Sequence, residues 1–288
     1  MSDEFAAHRG LLFAIAYEIL GSASDAEDVV QESWIRWHNA DRSAVRDGRA
    51  YLVRIVTRQA LNRLRTLSRR REDYVGPWLP EPILTTGDVA DDVELSESVA
   101  TAMLLVLETL APLERAVFVL RDVFGFSYEE IADAVDRGAD AVRKTASRAR
   151  AHVAARRPRV DVARAEAEAV VERFRIAAAT GDVQGLVDVL APDVVMLSDG
   201  GGRVTAARRP VEGVERVVRF LAGLLTQYPE ARLEPVDVNG APGLRVEVGG
   251  SLDGLVSFAF AGARIRTAYY VRNPDKLAHA ADPTPLAR

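Results

Sequence analysis

Hydrophobic positions near the N-terminus recur at helical spacing. Leu11, Leu12, Ile15, Ala16 and Ile19 share one face, and Gly21 ends the run. Ser24 followed by Glu27 has the form of a capping box, opening a second helix through Val29, Val30, Trp34 and Trp37. Both tryptophans read as core or half-buried residues rather than base-stacking ones. A polar loop over 39–48 precedes a third helix, from about Arg49 to Ser68, with Leu52, Ile55, Val56, Ala60 and Leu64 as its apolar stripe. Residues 73–98 carry Pro77, Pro80, Pro82 and Gly87, which predicts an extended linker without regular helix. Helical periodicity returns over 99–155, with Pro112 suited to a first turn.

After Pro158 the pattern changes. One helix is predicted near Val160–Ala179 and a shorter one near Val183–Leu190. Strand-like runs follow at Val194–Leu197, Gly243–Val248, Val256–Phe260 and Arg264–Val271, with a helix near Val214–Leu225. The chain reads as multidomain: two all-α helical domains, then an α+β domain. The predicted boundaries are 1–72, a linker 73–98, 99–157 and 158–288.

The 288 residues carry a formal net charge of −5, which conceals strong blocks. Arg49–Arg71 holds eight arginines and no acid, and Glu72–Ser98 holds eight acids and no base. Arg137–Arg159 has eight bases against Asp140 alone. A solvated helix mixes signs, so one-sign blocks point to an anionic partner. The chain has no cysteine, which excludes disulfides, thiolate metal sites and a cysteine nucleophile and fits a reducing cytoplasm. No long apolar run is present, so neither a signal peptide nor a membrane span is expected.

The segment from Leu110 to Val153 reads as a helix-turn-helix. Ser127 caps the helix Tyr128–Val135 with Glu130 at the capping-box position, and Asp136-Arg137-Gly138 forms the turn. A second helix begins at Ala139. Ile131, Ala132, Val135 and Val142 can form the small core between the two. Arg143, Lys144, Ser147, Arg148 and Arg150, together with Arg137 of the turn, are then free for a DNA major groove. On the earlier basic helix, Arg54, Arg58, Asn62 and Arg65 can share one face. Asp25, Glu27, Asp28, Gln31 and Glu32 form an acidic, exposed helical surface.

In this order the segments resemble the extracytoplasmic-function sigma factors. The stretch from Asp25 to Trp34 is similar to the family's region 2.1–2.2, which implies binding of Asp25, Glu27, Asp28, Gln31 and Glu32 to the β′ clamp helices of core RNA polymerase. The stretch from Arg49 to Arg71 is similar to regions 2.3–2.4, which implies reading of the −10 promoter element by Arg54, Arg58, Asn62 and Arg65. By the same likeness the loop from Asn39 to Gly48 would hold a flipped base. Leu110–Phe118 and the helix-turn-helix resemble region 4, which implies −35 DNA binding and contact with the β flap. The linker would lie, acidic and flexible, in polymerase channels.

The order of elements after residue 158 resembles the SnoaL-like fold, a cone of curved sheet closed by helices. Three motifs sharpen the likeness: Trp78-Leu79-Pro80-Glu81-Pro82, Asp199-Gly200-Gly201-Gly202-Arg203 and Asn273-Pro274-Asp275-Lys276-Leu277. Together they resemble the sigma-J-like subgroup with a fused SnoaL-like domain, which implies control in cis by that domain. Arg203 stands where a lysine is common, with charge retained. The linker motif is expected to dock near the other two, fixing the DNA readers in one geometry, since an exposed tryptophan is costly unless it docks.

No catalytic residue, metal or cofactor is expected. His279 is the only histidine after residue 158 and is badly placed for a pocket. Asp199 is a candidate pocket carboxylate without an evident acid–base partner. A small ligand bound in the cone is a further candidate partner. Two competing readings stay open: a one-component DNA-binding regulator with a ligand domain, and an enzyme with an accessory DNA-binding module.

Overall fold

The computed structural model describes residues 3–41, 43, 45–71, 74–86, 92–156, 162–280 and 282–287. The N-terminal helices are α1 (Asp3–Leu20), α2 (Ala23–His38) and α3 (Gly48–Arg71). Ser22, not Ser24, caps α2: its side chain accepts from the Asp25 amide. The Ser24 hydroxyl is instead bonded to Glu81, 57 positions away. A tertiary acceptor has overridden the local capping pattern. Trp37 is buried, while Trp34 is half-buried and stacks on His38.

The linker departs from expectation. Helix α4 (Val93–Val99) lies inside it, capped by Asp92 and anchored by buried Leu95 and Val99. The prolines that deny helix end at Pro82. Nor is 74–86 a solvated tether, because Leu79, Ile83 and Leu84 are buried. Next come α5 (Thr101–Glu108), α6 (Pro112–Phe118), a π-helical turn (Val119–Val123), α7 (Tyr128–Val135) and α8 (Ala139–Ala154). The two helical units that the sequence separates share one continuous core here, running from Phe5 through Ile83 and Val99 to Val153.

The C-terminal part comprises α9 (Arg164–Thr180), α10 (Val183–Val189), β1 (Leu190–Asp199), β2 (Val211–Glu212), α11 (Val214–Gln227), β3 (Arg232–Val238), β4 (Ala241–Val248), β5 (Ser251–Ala261), β6 (Arg264–Val271) and α12 (Pro274–Leu277). One sheet runs β2-β1-β6-β5-β4-β3, with β1 and β6 parallel and the other pairs antiparallel. Strand β3 was not anticipated; Pro235 and the acids Glu234 and Asp237 mask its alternation.

Strand side chains alternate between faces. On the inner face Met196, Val246, Phe258 and Tyr270 pack with α9, α10 and α11. On the outer face Leu255, Tyr269 and Val271 pack with Leu79, Leu84 and Leu277. The second apolar face is therefore covered by the linker and α12.

Candidate nucleic-acid interface and interdomain site

Burial of Leu52, Val56, Ala60 and Leu64 turns the basic face of α3 outward. Arg58, Asn62 and Arg65 are exposed, and the half-buried Arg54 holds its guanidinium 4.9 Å from the Tyr51 ring centroid. Asn62 accepts from Arg65 at 3.2 Å. Arg58 already has partners: Nε donates to the Ala134 carbonyl at 3.1 Å and Nη2 to that of Asp133 at 2.9 Å. A cation on the free carbonyls at a helix C-terminus is favourable. Arg49 lies 4.7 Å over the Phe126 ring. The first helix of the helix-turn-helix thus sits against the basic helix. Asn39 is the exposed C-cap of α2, and residues 42 and 44 of its loop lie outside the described ones.

On α2, Asp25 and Asp28 both bond Arg63, Glu27 bonds Arg9, Glu32 accepts from Gln59, and Gln31 is exposed. This keeps the acidic face at the surface while fastening α2 to α1 and α3.

The capping box at Ser127 and Glu130 is formed. Asp136 takes the left-handed φ of 56° in the turn, and exposed Arg137 donates to its carbonyl. Ile131, Ala132, Val135 and Val142 are buried. Lys144 and Ser147 are exposed. Arg143, Arg148 and Arg150 are not free as expected. They pair with Glu129 and Asp140, with Glu114, and with Asp122 respectively. These cations lie beside acids of the same and preceding helices; such solvated pairs are weak, and phosphate can compete for them.

The three motifs come together on the outer face of the sheet. Asp199 is fully buried at the end of β1. Its Oδ2 accepts from the Leu79 amide at 2.9 Å and from Lys276 Nζ at 2.8 Å. Its Oδ1 accepts from Tyr74 Oη at 2.6 Å and from the Gly201 amide at 3.0 Å. Lys276 also donates to the Leu79 carbonyl and lies 4.3 Å from the Trp78 ring centroid. Asn273 caps α12 and donates to Tyr74 Oη at 2.9 Å. Burial, and then the bond to Asp199, push the Tyr74 hydroxyl up, so it stays a neutral donor. Gly200 has no room for a Cβ, which would lie 2.5 Å from the Val204 carbonyl oxygen. Gly201 and Gly202 take φ of 57° and 71°. Arg203 pairs with Asp275 at the surface, while Pro274 is exposed and Leu277 buried.

The linker also grips the N-terminal helices. The buried Glu81 carboxylate accepts from Ser22 and Ser24, and Pro80 and Pro82 beside it are buried. Tyr17 Oη donates to the Glu81 carbonyl at 2.7 Å. Buried Arg115 of α6 donates to the Glu18 carbonyl and pairs with Glu108, joining α1 to α6. Burial pushes its guanidinium down to about 9, so it remains charged at neutral pH.

The inner face encloses a cavity of about 80 Å³, lined by Phe174, Met196, Leu221, Leu224, Tyr228 and Tyr270 among others. Asp199 lies on the opposite face, which corrects its candidacy as a pocket carboxylate. The carboxylate on the cavity wall is Asp253. It accepts from Arg272 Nε at 2.8 Å, from Nη2 at 2.6 Å and from Tyr270 Oη. Arg272 Nη1 donates to the Thr205 carbonyl at 2.6 Å. Desolvation opposes the Arg272 charge, but its bonds to Asp253 and Tyr228 outweigh it and raise the pKa. His279 is exposed beyond α12. Among the described residues, no group of three His, Asp or Glu side chains is placed to hold a metal, and no helix is long and apolar enough to cross a membrane.

Sequence reasoning missed Tyr74, Tyr17, Asn239 and the Asp253–Arg272 pair. None stands in a motif; the Asn239-Gly240 dipeptide signals a hairpin and nothing more.

Comparison with known proteins agrees with this architecture. Residues 5–70 match the Sigma-70 region 2 family, 100–153 the Sigma-70 region 4 family and 171–272 the SnoaL-like domain. The ECF RNA polymerase sigma factor SigJ of Mycobacterium tuberculosis is 40% identical over 233 residues, 78% of this chain and 73% of that protein. Its probable ECF RNA polymerase sigma factor SigI is 30% identical over 281 residues, covering 96% and 94%. The crystal structure of M. tuberculosis SigJ superposes with a TM-score of 0.78 at 33% identity, covering 98% of this chain and 99% of that one. The chain belongs to the extracytoplasmic-function RNA polymerase sigma factors, in the form that carries a C-terminal SnoaL-like domain.

Proposed function

We propose that this protein directs core RNA polymerase to its promoters in the cytoplasm, and that its SnoaL-like domain holds it closed until polymerase engages. The acidic face of α2 meets the β′ clamp helices, and the helix-turn-helix unit meets the β flap. Arg54, Arg58, Asn62 and Arg65, with the loop at Asn39, serve the −10 element. Arg137, Arg143, Lys144, Ser147, Arg148 and Arg150 serve the −35 element. The protein acts by binding rather than by catalysis.

The observation that carries the closed state is the seat of Arg58 on the Asp133 and Ala134 carbonyls. Promoter boxes about 25 base pairs apart lie roughly 80 Å apart along the duplex. A −10 reader bonded to the −35 unit cannot reach both boxes at once. Trp78–Pro82, bound between the sheet and α1–α2, fixes that geometry.

The test is transcription in vitro with core polymerase, comparing the full chain with one ending after Arg157. Promoter-specific transcripts from the full chain support the reading. A change in yield on truncation supports control in cis. Absence of both core binding and transcript favours a DNA-binding regulator instead. The cone cavity would take a small neutral, apolar ligand, because Asp253 and Arg272 on its wall are bound to each other.

A further inference from the structure

The β3–β4 turn is a two-residue Asn239-Gly240 hairpin, with φ of 54° and 75°. Asn-Gly suits such a turn for backbone reasons alone, and a hairpin tip ordinarily leaves the amide in water. Here Asn239 is 1% exposed, and its side chain reaches out of its own domain. Nδ2 donates to Tyr17 Oη of α1 at 2.6 Å and to the Val99 carbonyl at the end of α4 at 2.9 Å. Oδ1 accepts from the Ile83 amide of the linker at 3.3 Å, and the Asn239 amide donates to the Ile83 carbonyl at 2.9 Å. The Gly240 amide donates to Thr85 Oγ1 at 3.0 Å. A Cβ on Gly240 would lie 2.7 Å from the Ser96 Cα, so the tip is seated directly against α4.

The turn needs none of these side-chain bonds. Both amide hydrogens and the amide oxygen of Asn239 are used by three different segments, α1, α4 and the linker. Aspartate could keep the turn but not the donors, and glycine could keep the turn alone. The geometry points to Asn239 as a positioning residue: the hairpin tip is a plug that holds α1, the linker and α4 in one closed unit, separately from the Asp199–Lys276 contact. This inference rests on the closed-state reading above and names a second fastening for it.

Hydrogen exchange on the full-length protein tests it, using Asn239→Gly, Asn239→Asp and, from the other side of the contact, Tyr17→Phe. An unmet buried partner shifts an opening equilibrium about 10- to 100-fold. Exchange should accelerate by that factor over residues 79–86 and 93–100, while β5 and β6 keep their protection and report an intact domain. Tyr17→Phe should accelerate residues 93–100 with the turn untouched; it also removes the Tyr17–Glu81 bond, so residues 79–86 are read in the Asn239 variants alone. Acceleration confined to residues 238–241, or none in Tyr17→Phe, overturns the plug. Promoter-directed transcription by the same variants separates the two readings. Faster exchange with unchanged transcription upholds the plug and removes the inhibitory role of closure.

Discussion

The two faces of the C-terminal sheet solve a similar problem for different ends. Each holds one acid–base pair beside tyrosine: the half-buried Asp253 and buried Arg272 with Tyr270 inside, the buried Asp199–Lys276 pair with Tyr74 outside. The inner pair lies within one domain, and Arg272 also ties down the 199–206 loop through Thr205. The outer pair draws a partner from another part of the chain, since its remaining bonds go to Leu79 and Tyr74 of the linker. A buried pair is costly to break because the surviving charge is stranded. Inside the domain that cost guards the fold; outside it, the same cost guards an arrangement of domains.

Arg272→Ala should have the largest effect. It leaves Asp253 without its cation, with the Tyr270 hydroxyl still bonded to it, and frees the 199–206 loop, lowering the stability of the C-terminal domain by about 3 kcal/mol. Thermal unfolding should show that domain melting first. Asp199→Asn should cost about as much at the interface, roughly 3 kcal/mol, while leaving the sheet folded. Chymotrypsin should then cut after Tyr74 or Trp78, which the parent protects. If Asp199→Asn instead lowered the sheet's melting temperature as Arg272→Ala does, the contrast between the faces would fail.

Trp78→Ala removes the ring from Lys276 without stranding a charge, and should weaken closure by about 1–2 kcal/mol. An intermediate cleavage rate is expected, with transcription altered in the same direction as in Asp199→Asn. Arg203→Ala should be smallest, about 0.5 kcal/mol or less, because the Arg203–Asp275 pair is 64% and 63% exposed. Melting and cleavage should match the parent.

Much of this was legible in the sequence where structure is local. The capping box at Ser127, the stripe of α3 and the run Arg264–Val271 appear where periodicity places them. The three motifs converge as expected because unusual residues, a tryptophan among prolines and three consecutive glycines, mark backbone that another segment must approach. What escaped was decided across the chain. Ser24 lost its capping role to Ser22 and bonds Glu81 instead, Arg58 found helix-end carbonyls while staying exposed, and α4 formed inside a proline-marked linker because Leu95 and Val99 had a core to enter. Asn239 resembled any hairpin asparagine, and only its burial shows otherwise.

The central claim is that the outer-face contact keeps the −10 and −35 readers together in the free protein. Because the chain has no cysteine, spin labels can be placed at Thr66→Cys on α3 and Ser147→Cys on α8 without other changes. Pulsed dipolar distances should show one short, narrow population in the free full-length protein. Asp199→Asn should broaden that population toward longer distances, and core polymerase should shift the parent the same way. An identical short distance in the parent, in Asp199→Asn and in the polymerase-bound protein would contradict the account.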